Sequence, residues 1–237
     1  LSLALDDTID ENWIKLFSQG LVEDQKKYKI TLLGGDTVSA PHGLFITINM
    51  VSRTNDNIIK RGGACYGDNI YVTGTIGNSA IGLYLLKNKN DNIGLDQLDI
   101  QKLIRKYHLP DPRLKISHLI RKFASSSMDT TDGLINDLMT LAVSSGRKFT
   151  IKKKLIPYSI SAKKFLNNYG DFDIALYGGD DYEVIFTSPR KFEEALHEYA
   201  KKLKLKITKI GNVGSLSKNP KLFDEKRKEF KASNYTF

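Results

Sequence analysis

The sequence predicts an α+β protein of two domains, each a two-layer α/β sandwich, and three observations predict it. Short apolar runs rich in Ile, Val, Leu and Tyr alternate with longer stretches whose apolar residues recur at helical spacing. A polar, glycine-rich segment, "RTNDNIIKRGGACYGD" (53–68), separates two such patterned regions. No self-similarity at a period of 20–50 residues is present, which removes repeat architectures.

The elements follow in chain order. "LSLAL" (1–5) reads as the end of a buried strand. Thr8 with Glu11 three residues later forms a capping-box pattern. Beyond it Trp13, Leu16, Phe17, Leu21 and Tyr28 share one helical face, so a helix is expected over Ile9 to Tyr28. "KITLL" (29–33) and "LFITINMVS" (44–52) are expected strands. The boundary falls in the 53–68 segment, giving a first domain of residues 1–58 and a second of residues 59–237. In the second, "NIYVTG" (69–74) is a strand, and helices are expected over 78–88, 97–107 and 113–123, with "PDPR" (110–113) between the last two. "SSSMDTTDGL" then enters a helix with Leu134, Leu138, Leu141 and Ala142 on one face. Strands are expected over 148–152, 183–187, 206–211 and 220–223, and helices over 159–168 and 190–203.

Composition narrows the function classes. With 237 residues and 41% hydrophobic content, the chain can bury one large core or two modest ones. The net charge of +9 points to an anionic partner or to a lysine-rich surface. Lysines alternate with acids, as in "DEKRKEFK" (224–231), and only Lys152, Lys153 and Lys154 cluster, so a solvated surface is the better reading. No aromatic–basic interleaving marks a nucleic-acid face, and no apolar run is long enough to cross a bilayer. Cys65 is the single cysteine, which excludes an intrachain disulfide and a cysteine-based zinc site and fits a reducing cytoplasm. The chain opens on an apolar run without Met, and a preceding N-terminal portion is expected.

Three acidic stretches hold the candidate chemistry. "TLLGGDTVSA" (31–40) and "ALYGGDDYEV" (175–184) each end an apolar run in Gly-Gly and a carboxylate; "SMDTTDGL" (127–134) lies between them. Magnesium takes oxygen ligands and is held by one or two carboxylates, with phosphates and water completing the shell. Glycines ahead of an acid let the backbone approach a bulky anion and adopt positive φ. A plain turn explains Asp36 equally well. In "SMDTTDGL", Asp129, Thr131 and Asp132 stand at a helix start, where negative groups are favoured; two acids and two threonines exceed what one N-cap requires. In "GGDDYEV", Asp180 or Asp181 simply solvating a turn, with Glu183 on a wet strand face, is the ordinary alternative. The P-loop, dinucleotide, zincin and nucleophile-elbow patterns are absent, and "GTIGNSAIG" (74–82) does not fit the dinucleotide pattern. His42, His108, His118 and His197 are scattered. Arg61 is either a phosphate clamp or a linker residue.

Taken in order, "LLGGDT", "KRGGACYGDNIYVTGTIGNSAIGL", "MDTTDGL", "LYGGDDYEVIFT" and the terminal "NYTF" resemble the thiamine-monophosphate kinase family of the aminoimidazole ribonucleotide synthetase-like superfamily, over essentially the whole chain. The resemblance implies that superfamily's fold, with the first domain, a nucleotide- and metal-binding one, incomplete. It implies ATP-dependent phosphorylation of thiamine monophosphate to thiamine diphosphate with several Mg2+ ions, in a cytoplasmic homodimer. It assigns Asp36, Asp129 and Asp132 as catalytic metal ligands. It places Gly35 and Asp36 at the nucleotide phosphates, Arg61 and Thr131 on ATP, and Asp180 and Tyr235 on the thiamine substrate. The family motif at 178–183 usually reads Gly-Gly-Glu-Asp-Tyr-Glu, so Asp180 is one methylene shorter; Thr131 stands where serine is usual. Two other outcomes follow from the same residues: another ATP-dependent enzyme of the superfamily, or a truncated, inactive remnant that folds and binds nucleotide.

Overall fold

The computed structural model describes residues 1–54, 58–88, 94–233 and 235. The chain divides into two compact units, Leu1–Asn55 and Asp56–Phe237.

In the first unit, β1 (Ser2–Leu5), α1 (Glu11–Tyr28) and β2 (Asp36–Ser39) form a strand–helix–strand crossover, and β3 (Phe45–Thr47) completes a sheet of order β2-β1-β3. β1 pairs in parallel with β2 and antiparallel with β3, as a crossover helix requires of its two flanking strands. The start of α1 corrects the expected capping box. Asp10 is the N-cap and accepts from Trp13 N at 2.7 Å, while Thr8 is turned toward the Asp6 carboxylate. The expected strand over 29–33 does not form. Lys29 is a left-handed C-cap with φ 55°, and Leu32 N donates to the Gln25 side chain at 2.7 Å. That backbone closes the helix instead of joining a ladder, and pairing begins at Asp36, whose N donates to the Leu1 carbonyl at 3.1 Å. The strand expected over 44–52 is limited to Phe45–Thr47, because β1 offers partners only as far as Ser2, opposite Thr47. Leu3 is the buried apolar residue of this unit among the described residues, although "LSLAL" reads as a wholly buried run. α1 buries none of its residues; Trp13 and Phe17 stack on one another at 5.0 Å.

The second unit is built on a six-stranded sheet of order β5-β7-β4-β8-β6-β9. Its strands are β4 (Asn69–Thr73), β5 (Ser126–Asp129), β6 (Arg147–Ile151), β7 (Val184–Ser188), β8 (Ile207–Leu216) and β9 (Leu222–Phe223). All pairs are antiparallel except β6 with β9. The helices are α2 (Asn78–Lys87), α3 (Gln97–His108), α4 (Ile116–Phe123), α5 (Leu134–Ser145), α6 (Ile160–Tyr169), α7 (Asp173–Tyr177) and α8 (Glu193–Lys202). The period-two alternation of β4 and β7 sorts the packing. Ile70, Val72 and Ile185 face the apolar stripe Leu134, Ile135, Leu138, Leu141 and Ala142 of α5. Tyr71 and Phe186 face the other way, onto α4 and α8. Each sheet face therefore has its own helix-on-sheet packing, and α2, α3, α6 and α7 close around a further cluster containing Phe165 and Ile81.

Two acids of the 178–183 stretch are structural, against their ordinary readings. The Glu183 side chain is buried, with its carboxylate taken by the Arg113 guanidinium (Nε to Oε2 2.6 Å) and by Thr73 Oγ1 at 2.6 Å. Gly74, at φ 56°, leaves the space that this carboxylate fills. The pair fixes the "PDPR" connection to the sheet, because Arg113 also bridges to Asp111 at 2.9 Å. Asp181 does not solvate a turn. Its carboxylate accepts from Gly77 N at 2.5 Å and Ser79 N at 3.2 Å, capping α2, whose N-cap Gly77 has no side chain to do so. "GTIGNSAIG" is thus a helix start supplied with its cap from a distant loop.

Burial pushes the Asp181 carboxyl up to about 7; the Gly77, Ser79 and Asn78 amides oppose the rise, and the Glu183 charge adds to it. Between about pH 4, where a free Asp ionises, and pH 7 the folded state keeps a proton that the unfolded state has released. Stability is lost as pH rises through that window. Urea unfolding across pH 4–7 should show Asp181→Asn gaining on the wild type as pH increases. Parallel pH profiles would show that another group titrates.

Candidate active site

The second and third acidic stretches meet at one end of the β5–β7 pair. The strands pair from Ser126 opposite Thr187 to Asp129 opposite Val184, and the bonding continues past their ends. Thr130 N donates to Glu183 O at 2.8 Å, Tyr182 N to Thr130 O at 2.9 Å, and Asp180 N to Thr131 O at 2.9 Å. Glu183 N adds a bond to Thr130 Oγ1 at 3.0 Å. This approach demands glycine at 179, where a Cβ would lie 2.1 Å from the Thr131 carbonyl oxygen. Asp180 (φ 67°) and Tyr182 (φ 50°) are both held in the left-handed region, unusual for a bulky residue such as tyrosine.

The turn between Asp129 and α5 is braced from the helix. Thr131 N and Asp132 N both donate to Asp137 Oδ2, at 2.9 and 3.2 Å. The N-cap position of α5 is Gly133, and neither Thr131 nor Asp132 caps the helix. Burial pushes the Asp137 carboxyl up to about 6; its two amide donors pull it down, and the charges of Asp132 and Asp129 push it further up. The sequence signal for Asp137 is a carboxylate beside Leu138 on the apolar face of α5.

With the turn held by Asp137, the carboxylates of Asp129 and Asp132 are exposed, and no hydrogen bond or ion pair engages either among the described residues. Two neighbouring oxygen donors without protein partners suit a hard divalent cation that takes one or two carboxylates and completes its shell with phosphate and water. Among the described residues no set of three or more His, Cys, Asp or Glu side chains is arranged to hold a metal ion.

Beside this turn lies a cleft of about 580 Å³ lined by Thr131, Asp132, Tyr177, Gly178, Gly179 and Tyr235, among others. It runs along α5 from Asn136 as far as Val143 and Ser144, roughly 12 Å of helix at 1.5 Å per residue. At that far end the Arg61 segment docks. Ser145 Oγ donates to Arg61 O at 3.2 Å and accepts from Gly63 N and Ala64 N at 3.3 Å, and a Cβ at Gly62 would lie 2.5 Å from the Ser144 carbonyl oxygen. Tyr235 is half-buried, and its hydroxyl donates to Asp171 at 3.3 Å. Of the "NYTF" stretch only Tyr235 lies within the described residues. The second unit therefore brings Asp129, Thr131, Asp132, Asp180 and Tyr235 to one region, with the Arg61 backbone docked on Ser145 past the far end of the cleft. Asp36 and Gly35 belong to the first unit. Asp36 is exposed at the start of β2, and its carboxylate accepts from Thr37 N at 2.9 Å. Gly35 is required by chain packing, since a Cβ would lie 2.2 Å from the Leu1 carbonyl oxygen.

The architecture recurs in solved structures. E. coli HypE superposes with a TM-score of 0.71 at 17% identity, covering 99% of this chain and 73% of HypE, a likeness of fold alone. The thiamine-monophosphate kinase from Stenotrophomonas maltophilia K279a gives a TM-score of 0.80 at 29% identity, over 94% of this chain and 70% of its own. AaThiL complexed with AMPPCP and TMP gives 0.76 at 28% identity, over 94% and 68%. The class is thus the aminoimidazole ribonucleotide synthetase-like α+β fold. Sequence comparison goes further. The thiamine-monophosphate kinase of Buchnera aphidicola (subsp. Schizaphis graminum) is 36% identical over 232 residues, 95% of this chain and 69% of the relative. That of Haemophilus influenzae is 34% identical over 214 residues, 90% and 64%. The chain belongs to the thiamine-monophosphate kinase family, and it spans 64% to 69% of the length of these two relatives. A scan against protein-family models finds no match.

Gly179→Ala should force the two loops apart and cost about 1–3 kcal/mol, the scale of overpacking a close contact, in urea unfolding. A variant as stable as the wild type would mean that the Thr131 approach is not fixed.

Proposed function

We propose that this chain acts in the ATP-dependent phosphorylation of thiamine monophosphate to thiamine diphosphate. The observation behind this reading is the cleft that joins Asp132, of the unpartnered Asp129/Asp132 pair, to Tyr235 and the Gly178–Gly179 loop, in a fold shared with AaThiL complexed with AMPPCP and TMP.

In this reading Asp129 and Asp132 would hold magnesium, and Asp36, on the first unit, would be a further metal ligand. Such a cation, when bound, would supply charge neutralisation for the phosphates of ATP and of the acceptor. Thr131 and Arg61 contact the nucleotide, and Gly35 with Asp36 stands at its phosphates. Asp180 meets the thiamine portion with Tyr235 packed on it. An oxygen of the acceptor phosphate attacks the γ-phosphorus in line, the bond to the ADP leaving oxygen breaks, and thiamine diphosphate and ADP result. The acceptor is a phosphate monoester and already anionic near neutral pH, so the step needs positioning and charge neutralisation more than a strong base. The residues gathered here suit that demand: they are aspartates, threonine and tyrosine, without a paired Ser–His or Cys–His. Residues 1–58 are read as part of the nucleotide- and metal-binding domain and 59–237 as the C-terminal α/β domain. A cytoplasmic homodimer completes the reading.

Asp129→Asn and Asp132→Asn should each lower turnover at limiting magnesium by about 10²-fold, the scale of losing one group that stabilises transition-state charge, and weaken magnesium binding in calorimetry. Unchanged kinetics and affinity in both variants would remove the metal assignment. ATP binding without a diphosphate product would favour a folded, non-catalytic domain. Asp180→Glu should shift the Michaelis constant for thiamine monophosphate; a constant equal to the wild type's would place that contact elsewhere.

A further inference from the structure

The last described residues of the chain form part of the cleft wall, and their attachment is unusual. After Phe230, whose N donates to Leu222 O at 2.9 Å, the described backbone makes no ladder pair. Ser233 is held by one side chain, Asn136, on the first turn of α5. Asn136 Nδ2 donates to Ser233 O at 2.9 Å, and Ser233 N donates back to Asn136 Oδ1 at 3.3 Å. The amide thus imitates a strand partner for a single residue 97 positions away in sequence. Its second Nδ2 hydrogen goes to the Asp132 carbonyl at 2.8 Å. Asn136 itself lines the cleft, as do Ala232 and Tyr235 from the segment that it holds.

We propose that Asn136 is a positioning residue: it latches Ser233, and with it the Ala232 and Tyr235 wall, beside the cleft and ties that wall to the Asp132 turn, so that the aromatic wall and the carboxylate-bearing turn are set in one geometry. The proposal rests on the reading of this cleft as the thiamine monophosphate site. Only a side chain with both a donor and an acceptor can make this latch. Asp lacks the donor, and Ala or Leu lacks both. The turn itself keeps its Asp137 brace without Asn136, so losing the latch should loosen the wall and spare the turn.

The test uses the full chain with Asn136→Ala, and with the nearly isosteric Asn136→Leu should the first fail to fold. Hydrogen exchange of the C-terminal peptide, read against a core peptide of α5, should show about a tenfold loss of protection, the scale of one or two net hydrogen bonds. Calorimetry with magnesium present should show thiamine monophosphate binding about tenfold more weakly while AMPPCP affinity changes by less than twofold. Removal of residues 233–237 should give the same loss, and combining it with Asn136→Ala should add nothing further. Retained protection in the variants overturns the latch. Lost protection with unaltered thiamine monophosphate affinity, or equal losses for both ligands, overturns the positioning role. A wild-type chain that binds no thiamine monophosphate removes the substrate reading instead, and the exchange measurement then decides the latch by itself.

Discussion

Glu183 is the carboxylate on which the arrangement of the second unit depends. Its backbone exchanges bonds with Thr130, which fixes the two acidic loops side by side. Its side chain is buried and would cost several kcal/mol there without a countercharge. Arg113 and Thr73 supply the compensation, and in doing so they pin the "PDPR" connection and the end of β4. The ion pair thus adds the connection before α4 and the end of β4 to a loop and turn already joined by backbone bonds. Three acids within four residues thus have three different tasks. Asp180 remains beside the cleft, Asp181 caps α2, and Glu183 locks the sheet end to the connection before α4.

The same region gathers Asp129, Asp132, Asp137, Asp180 and Asp181 in a chain whose net charge is +9. Such a concentration is unfavourable unless something offsets it, and the protein does so unequally. Asp137 and Asp181 receive backbone N–H donors and are still pushed toward neutrality by burial. Asp129 and Asp132 receive no described donor and stay in contact with solvent. The fold therefore places its amides on the acids that shape the site and leaves Asp129 and Asp132 open to solvent. That division explains why Asp137, although it points at the same turn, is a brace.

Much of the second unit is legible in the sequence, for physical reasons that differ by element. α5 announces itself because Leu134, Leu138, Leu141 and Ala142 repeat at helical spacing and all end up buried. β5 does not, because its "SSMD" sequence has low strand propensity; it is held by partners the sequence cannot reveal, such as Ser126 Oγ and Thr187 Oγ1 at 2.7 Å. α7 is five residues long, too short for periodicity to register. The first unit misleads in the opposite sense. "KITLL" has strand composition, yet a left-handed cap at Lys29 and the Gln25 side chain claim its backbone. For the site, residue types at turns single out Asp129, Thr131 and Asp132 and the family resemblance adds Asp180 and Tyr235; the structure places these five in one region of the second unit. What hides is the support: Asn136 reaches Ser233 and Arg113 reaches Glu183 over 97 and 70 residues, which nothing local encodes, while Asp137 shows only as an acid on the apolar face of α5.

Aspartate at position 180, one methylene shorter than glutamate, has a local physical rationale. The residue sits at φ 67°, a left-handed conformation that costs most L-residues roughly 1–2 kcal/mol. Aspartate and asparagine are enriched there because their short polar side chains bond locally. Glutamate lacks that local reach and would bear more of the cost, with Tyr182 at φ 50° already strained two residues on. The strain persists because the backbone is over-determined: Gly179 against the Thr131 carbonyl, Asp180 N bonded to Thr131, and Tyr182 N bonded to Thr130 leave the loop no other path. A shorter acid thus relaxes the loop while keeping a carboxylate beside the cleft. Loop strain and side-chain reach are coupled at this position, and lengthening the side chain alters both at once.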